Sequence, residues 1–302
     1  MKVSTEAIRN RRFWINEIAK ISGNFGADSK RLEAELEKEI ASAGIERLRD
    51  HLRLCGNIPE CYSHDSTEEK LYSKYTDILL SLAFDSIGLK SIVLQERGDA
   101  ADVEVIAPGY AFVADAKAFR LSRTAKNAKD FKVQAMDGWK RGKAHAMVVC
   151  PIYQLPNTSS QIYEQATTRN VCIFTYTHLT ILLLYAAEQG KKKAQELLKK
   201  VFEVVNNLNP HKDAAAYWLS MNREILSYDR NIERLWHAEK QISHDAIQVA
   251  KDEDLSFLAK ERERILKMTH KKAIAELLRI NKIDSKIEMI KSVADNGIFT
   301  LR

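Results

Sequence analysis

The stretch from Asp102 to Val133 constrains this chain more than any other, because it ties a strand register to a set of charges. It reads DVEVIAPGYAFVADAKAFRLSRTAKNAKDFKV. Pro108-Gly109 carries turn chemistry. Before the turn, Asp102-Val-Glu-Val-Ile-Ala107 alternates with period two; after it, Ala111-Phe-Val-Ala-Asp-Ala-Lys117 is mostly apolar and ends on charges. Side chains two apart in a strand share a face, so Asp115 and Lys117 are expected to point the same way. If the two strands pair, Asp102 lies at the far end of the first, able to meet Asp115 near the end of the second. Two carboxylates and an ammonium beside a buried sheet are unfavourable unless something compensates them. A divalent cation is the natural compensation.

The spacing Asp102, then Asp115-Ala116-Lys117, fits the Asp…Asp/Glu-x-Lys pattern of the PD-(D/E)xK metal-dependent nucleases. Phosphodiester hydrolysis needs each part. Hard carboxylate oxygens hold Mg2+, which polarises the phosphate and lowers the pKa of a bound water. A nearby ammonium orients that water and stabilises charge developing on the phosphorus centre. The plain alternative is a surface hairpin with an i, i+2 ion pair, since Asp-x-Lys is common. Asp99 is the nearest rival for the first carboxylate, but it falls before the strand. Glu104 shares the face of Asp102, where it either stands behind the ligands or meets solvent.

The segment behind the hairpin shifts the balance. From Lys117 to Lys143 the chain carries nine cations (Lys117, Arg120, Arg123, Lys126, Lys129, Lys132, Lys140, Arg141, Lys143) and two anions (Asp130, Asp137), a net +7 against +6 for the whole chain. A charge run is usually a solvated face. Directly after the carboxylates, it also suits a surface that tracks phosphates. Arg120 and Arg123, with Asn127 after Lys126, are the residue types that read base edges: arginine pairs with guanine and asparagine with adenine. Phosphate clamping is their commoner use. At least one of the three is expected to read a base, and Lys126, Lys129 and Lys132 complete the expected DNA surface.

Val113-Ala-Asp-Ala-Lys-Ala-Phe-Arg-Leu-Ser-Arg-Thr-Ala-Lys-Asn-Ala-Lys-Asp-Phe-Lys-Val133 closely resembles the corresponding run of the HindIII-type restriction endonucleases, as do Ser66-Thr-Glu-Glu-Lys-Leu-Tyr-Ser-Lys74 and Leu94-Gln-Glu-Arg-Gly-Asp-Ala-Ala-Asp-Val103. Weaker similarity continues through Ser160-Gln-Ile-Tyr163, His178-Leu179, Lys272 to Leu278 and Ser285 to Glu288. It covers most of the chain after about residue 60, and the N-terminus diverges. The resemblance implies a type II site-specific endodeoxyribonuclease that uses Mg2+ and cuts the palindrome AAGCTT after the first A to leave 5′ overhangs. It implies a homodimer on double-stranded DNA, and a separate methyltransferase that protects host DNA. Asp102 and Asp115 would bind the ion, with the Ala116 carbonyl as a further ligand, and Lys117 would position the attacking water. Asp99 and Ala101 stand where the family has Asn and Gly. The alternatives are a structure-selective repair or recombination nuclease of the same fold, or a non-catalytic DNA-binding protein.

At 302 residues, with 45% hydrophobic and 29% charged side chains, the chain has ample material for a core and no signature of disorder. A pI near 9.0 leans towards polyanionic partners. Cys55, Cys61, Cys150 and Cys172 lack metal-ligand spacing and suit reduced thiols in the cytoplasm. No signal peptide is expected, and the run from Leu179 to Ala187 is far too short to span a bilayer.

Residues 5–54 are predicted as two or three helices with a breaker near Ala43-Gly44. Leu71, Tyr75, Ile78, Leu79 and Leu82 stripe a long helix opened by Ser66-Thr-Glu-Glu69. Glu69 is ambiguous between a capping box with Ser66 and a helical metal ligand. Further expectations are a strand over Ser91 to Gln95, a helix over Phe131 to Trp139 and a strand over Ala146 to Cys150. Ser159 to Thr167 then reads as helix, Val171 to Thr175 as strand and His178 to Glu188 as helix, with His178 structural. Everything after about 191 is read as helix, with a break at Asn209-Pro210. The expected class is α/β: a restriction-endonuclease-like mixed sheet of about five strands flanked by helices, with helical N- and C-terminal additions. The segments are a helical 1–60 for packing or dimer contact, a nuclease core over 61–190, and a helical 191–302 that embraces DNA or dimerises.

Overall fold

Gly109 takes φ +84°, which a side chain would strain, and the turn it completes with Pro108 sets the register of the central hairpin. The computed structural model describes residues 2–94, 100–123 and 127–292. Strands β1 (Lys90–Val93), β2 (Val103–Ala107), β3 (Tyr110–Ala116), β4 (His145–Cys150) and β5 (Val171–Thr175) lie in sequence order across one sheet. The first two pairs are antiparallel and the last two parallel. β4 and β5 are covered on both faces and read as continuous apolar runs, as parallel strands must. β2 instead alternates, burying Val103, Val105 and Ala107.

Parallel strands need crossovers, and two short helices supply them: α4 (Val133–Trp139) between β3 and β4, and α5 (Gln161–Thr168) between β4 and β5. The helix expected from Phe131 begins at Val133. Lys132 adopts φ +51°, in the left-handed region, and separates α4 from a single 3-10 turn over Ala128–Phe131. The first strand also ends earlier than expected, at Val93, and Gln95 lies outside the described residues.

Helix α3 (Thr67–Ser86) packs on the sheet through Leu71, Tyr75, Ile78 and Leu79, all buried, with Leu82 partly buried. Before it, α1 (Thr5–Ile18) is capped by Ser4 and α2 (Phe25–Leu54) by Asn24. The predicted breaker in α2 is real: Gly44 leaves helical geometry at φ +73° and ψ −165°. After β5 come α6 (Tyr176–Gln189), α7 (Lys191–Asn207), α8 (Ala214–Tyr228) and α9 (Arg230–Leu266). One buried apolar cluster runs from Trp14 to Leu235, so helices on either side of positions 60 and 190 share it.

Arg11 ties the N-terminal helices to this body. Its buried guanidinium donates to Glu253 Oε2 at 2.8 Å, the Leu54 carbonyl at 2.7 Å, Tyr72 Oη at 2.9 Å and the Asn57 carbonyl at 3.1 Å. Contacts divide the chain at Asp254. The second unit begins at Leu255 and contains α10 (His270–Ile280) and α11 (Ile283–Ser292). None of its described residues is buried, and Leu277, Ile280, Ile287 and Ile290 are among those exposed. No described helix is long and apolar enough to cross a membrane.

Candidate active site

The hairpin register puts Val103 opposite Ala114, so the next rung pairs Asp102 with Asp115. Asp102 sits one residue before β2, and its carbonyl accepts from the Leu94 N–H at 2.8 Å, which continues the ladder to β1. Asp115 is the penultimate residue of β3 and is fully buried. Ala116 closes the strand. Lys117 follows, its N–H donating to the Val149 carbonyl at 2.7 Å and its own carbonyl accepting from Tyr176 Oη at 3.0 Å. With the backbone held on both sides, the Lys117 ammonium turns back onto Asp115 Oδ2.

A third carboxylate joins them. Asp77, buried on α3, offers an oxygen that lies with oxygens of Asp102 and Asp115 within 4.8 Å of one another. The sequence reading missed it because only the packing of α3 on the sheet brings it there. A signal existed: an aspartate between Tyr75 and Ile78, on the buried face of a helix, needs a partner. Lys74, one turn earlier, supplies one. Its Nζ lies 3.2 Å from Asp77 Oδ2 and 3.6 Å from Asp102 Oδ1.

The electrostatics follow from burial. Desolvation holds the Asp77 carboxyl well above its ordinary value, and neighbouring Asp102 adds to this. Asp102 is pushed up to about 7, first by burial and then by the neighbouring Asp115 carboxylate. Burial also pushes Asp115 up, but Lys117, helped by neighbouring Asp102, outweighs it and leaves Asp115 below the usual range. Lys117 stays charged for the reciprocal reason: Asp115 outweighs its desolvation.

Such a set fits a divalent cation. Three carboxylates face two ammonium groups, and Asp115 Oδ1 is buried without a hydrogen-bond partner among the described residues. Hard oxygen donors with an unused lone pair at the centre are what Mg2+ takes. The ion would replace the proton that the crowded carboxylates otherwise hold.

Glu69 lies outside this trio, at the start of α3. Its N–H donates to Ser66 Oγ at 3.2 Å, as a cap requires. Its carboxylate accepts from the Asp65 N–H at 2.6 Å and from Arg120 Nε at 3.2 Å, rather than from the Ser66 N–H of a capping box. His64, Asp65 and Glu69 do bring donor atoms together, but His64 and Asp65 are exposed. Glu104 pairs with Lys143 at 3.1 Å.

The basic segment divides into anchored and open residues. Arg120 has a side chain only 13% exposed; besides Glu69, it donates to the Pro59 carbonyl at 3.0 Å and the Ser63 carbonyl at 3.4 Å. Arg123 is exposed, lies over the Phe119 ring and pairs with Asp130 Oδ2 at 2.7 Å. Asn127, Lys129 and Lys132 are exposed, with Lys132 over the Trp139 ring. Lys126 and Asp99 lie outside the described residues.

His178, expected to be structural, is buried; the Thr175 hydroxyl donates to Nδ1 at 2.7 Å and Nε2 donates to Asn222 Oδ1 at 3.1 Å. Desolvation lowers its ring pKa to about 4.

A model of the HindIII restriction endonuclease family matches residues 11–294. The type II restriction enzyme HindIII of Haemophilus influenzae is 35% identical over 254 residues, which cover 80% of this chain and 81% of that enzyme.

Proposed function

The chain belongs to the HindIII restriction endonuclease family, and from that premise we propose that it is a type II site-specific endodeoxyribonuclease that hydrolyses double-stranded DNA with Mg2+. The proposed target is the palindrome AAGCTT, cut after the first A to leave 5′ overhangs. A two-fold symmetric site suits a homodimer with one active site per strand. The enzyme would work in the cytoplasm as half of a restriction-modification system, with a separate methyltransferase protecting the same sites. The observation that carries this reading is the convergence of Asp77, Asp102 and Asp115 from α3, β2 and β3, with Lys117 on Asp115.

Asp102 and Asp115 would hold the ion, with the Ala116 carbonyl as a further ligand; Asp77 joins them as a candidate ligand from the helix. Bound there, Mg2+ supplies Lewis acidity at the phosphate and neutralises charge that builds on it. The chain's own groups do the rest. Asp115 fixes the Lys117 ammonium, and the Tyr176 and Val149 contacts fix its backbone, so Lys117 is preorganised to orient a water for in-line attack. Arg120, locked to Glu69 and two carbonyls, anchors the basic segment beside the site. Arg123, Asn127, Lys129 and Lys132 present exposed heads to DNA, with Lys126 in the same run, and Arg123 or Asn127 is proposed to read a base edge.

Digesting a long plasmid with the full chain and Mg2+ tests this reading. Discrete fragments whose sequenced ends all lie within AAGCTT are expected. Fixed ends at another sequence would keep the nuclease and replace the target. Preference for branched DNA, or DNA left intact, would overturn the assignment.

A further inference from the structure

Lys74 has no part in the chemistry assigned above, yet it sits among the carboxylates. Its side chain is 23% exposed, and its ammonium reaches both Asp77, three residues on along the same helix, and Asp102 from the sheet. Lys117 stands on the other flank with Asp115. The site is therefore an alternation of charges: Lys74 serves Asp77 and Asp102, while Lys117 serves Asp115. Three carboxylates crowd against two ammonium groups, and Asp115 Oδ1 has no hydrogen-bond partner among the described residues. Asp77 is buried, and a carboxylate at that depth takes up a proton unless a cation is paired with it.

A divalent ion that enters this group brings like charge close to Lys74, and like charges repel strongly where water is scarce. We propose that Lys74 is the resident counter-ion of the metal-free site and that it competes with the divalent cation for Asp77 and Asp102. Lys74 is thus a positioning residue: it holds a helix carboxylate and a sheet carboxylate together before the ion arrives. Loading then requires its ammonium to give up the Asp102 oxygen. The same contact that lets the carboxylates assemble without metal weakens the metal's grip, so the enzyme trades affinity for a preformed site. This inference rests on the reading of Asp102 and Asp115 as Mg2+ ligands.

The test is calorimetric titration of the full chain with Mg2+ alone, without DNA, alongside thermal unfolding. Lys74→Met keeps the aliphatic stem and removes the charge. In metal-free buffer it is expected to melt below the parent, to bind Mg2+ at least about tenfold more tightly, and to gain more thermal stability from Mg2+. Lys74→Arg, which keeps the charge, should track the parent. If the methionine variant does not fold, Lys74→Gln retains a hydrogen bond to Asp77 and should show the same tightening. Mg2+ binding that is unchanged or weaker in the neutral variants overturns the competition while leaving the metal site standing. If neither parent nor variants bind Mg2+, the assignment of Asp102 and Asp115 falls, and the inference with it.

Discussion

Two of the charged centres buried among the described residues are built in opposite ways. Around Arg11 the charge is met on every side: Glu253, Tyr72 and the carbonyls of Leu54 and Asn57 receive four of the five guanidinium N–H groups, and all three nitrogens are engaged. Around Asp115 the match is incomplete, since Oδ1 has no hydrogen-bond partner among the described residues and three carboxylates crowd together. A satisfied buried ion is part of the architecture, because removing it breaks packing and pairing at once. An unsatisfied one, held in place by strands and a helix, is a site waiting for a ligand. Burial alone does not separate the two; the count of partners does.

The sharpest way to break this contrast is to neutralise the unsatisfied centre. Asp115→Asn is expected to lower DNA cleavage by at least about a thousandfold, because it removes a ligand charge and releases Lys117. Lys117→Ala should do the same, with specific DNA binding still measurable in both. Stability should move by only about 1 kcal/mol in urea unfolding, and the Mg2+-induced rise in melting temperature should disappear. An Asp115→Asn protein that still cuts DNA would end the assignment. Arg11→Leu inverts the pattern. It should cost about 2–4 kcal/mol of stability, because the Leu54 and Asn57 carbonyls and Tyr72 Oη lose their buried donor. Mg2+ should still bind the folded fraction. A stable Arg11→Leu protein that had lost Mg2+ binding would show that the two centres are not independent.

His178 lies between these extremes: both ring nitrogens have partners, and burial favours the neutral ring. Its folded pKa of about 4 lies below the ordinary 6.5, so the unfolded chain takes up the proton first. Stability is therefore full above about pH 6.5 and falls as pH drops towards 4, by about 3 kcal/mol in all. His178→Gln should flatten that part of the pH profile relative to the parent. Parallel profiles would mean that the ring is charged in the fold.

The sheet half of the site was legible in the sequence because a period-two strand and a Pro-Gly turn leave one register, and that register fixes Asp102 opposite Asp115. Lys117 followed from the same parity. Asp77 and Lys74 were not singled out, since the apolar stripe of α3 marks its buried face but not that this face brings Asp77 beside Asp102 and Asp115. Lys132 shows a second limit: its left-handed backbone holds back to Val133 a helix expected to start at Phe131. The single core shared by residues before 60 and after 190 likewise depends on contacts that no local pattern records. Arg120 shows a third limit. Its carbonyl partners lie 61 and 57 positions earlier in the chain, and a backbone acceptor leaves no mark in residue type.

Arg120 and Arg123 repeat the comparison at the surface, with smaller stakes. Both stand in one basic run, but Arg120 is consumed by Glu69 and two carbonyls, whereas Arg123 is exposed and held only by Asp130 and the face of Phe119. An ion pair at that exposure is weak enough to exchange for a nucleic-acid contact. Arg120→Ala should therefore lower stability by about 1–2 kcal/mol and weaken DNA binding equally for all sequences. Arg123→Ala should leave stability unchanged and weaken cognate DNA by about 1–3 kcal/mol more than random duplex, if its guanidinium reads a base. Equal losses on both duplexes would make Arg123 a phosphate clamp and move the reading role to Asn127. A cognate-selective loss at Arg120 instead would mean that its interior contacts are given up on DNA, and partner count would then no longer separate structural from functional charge at the surface.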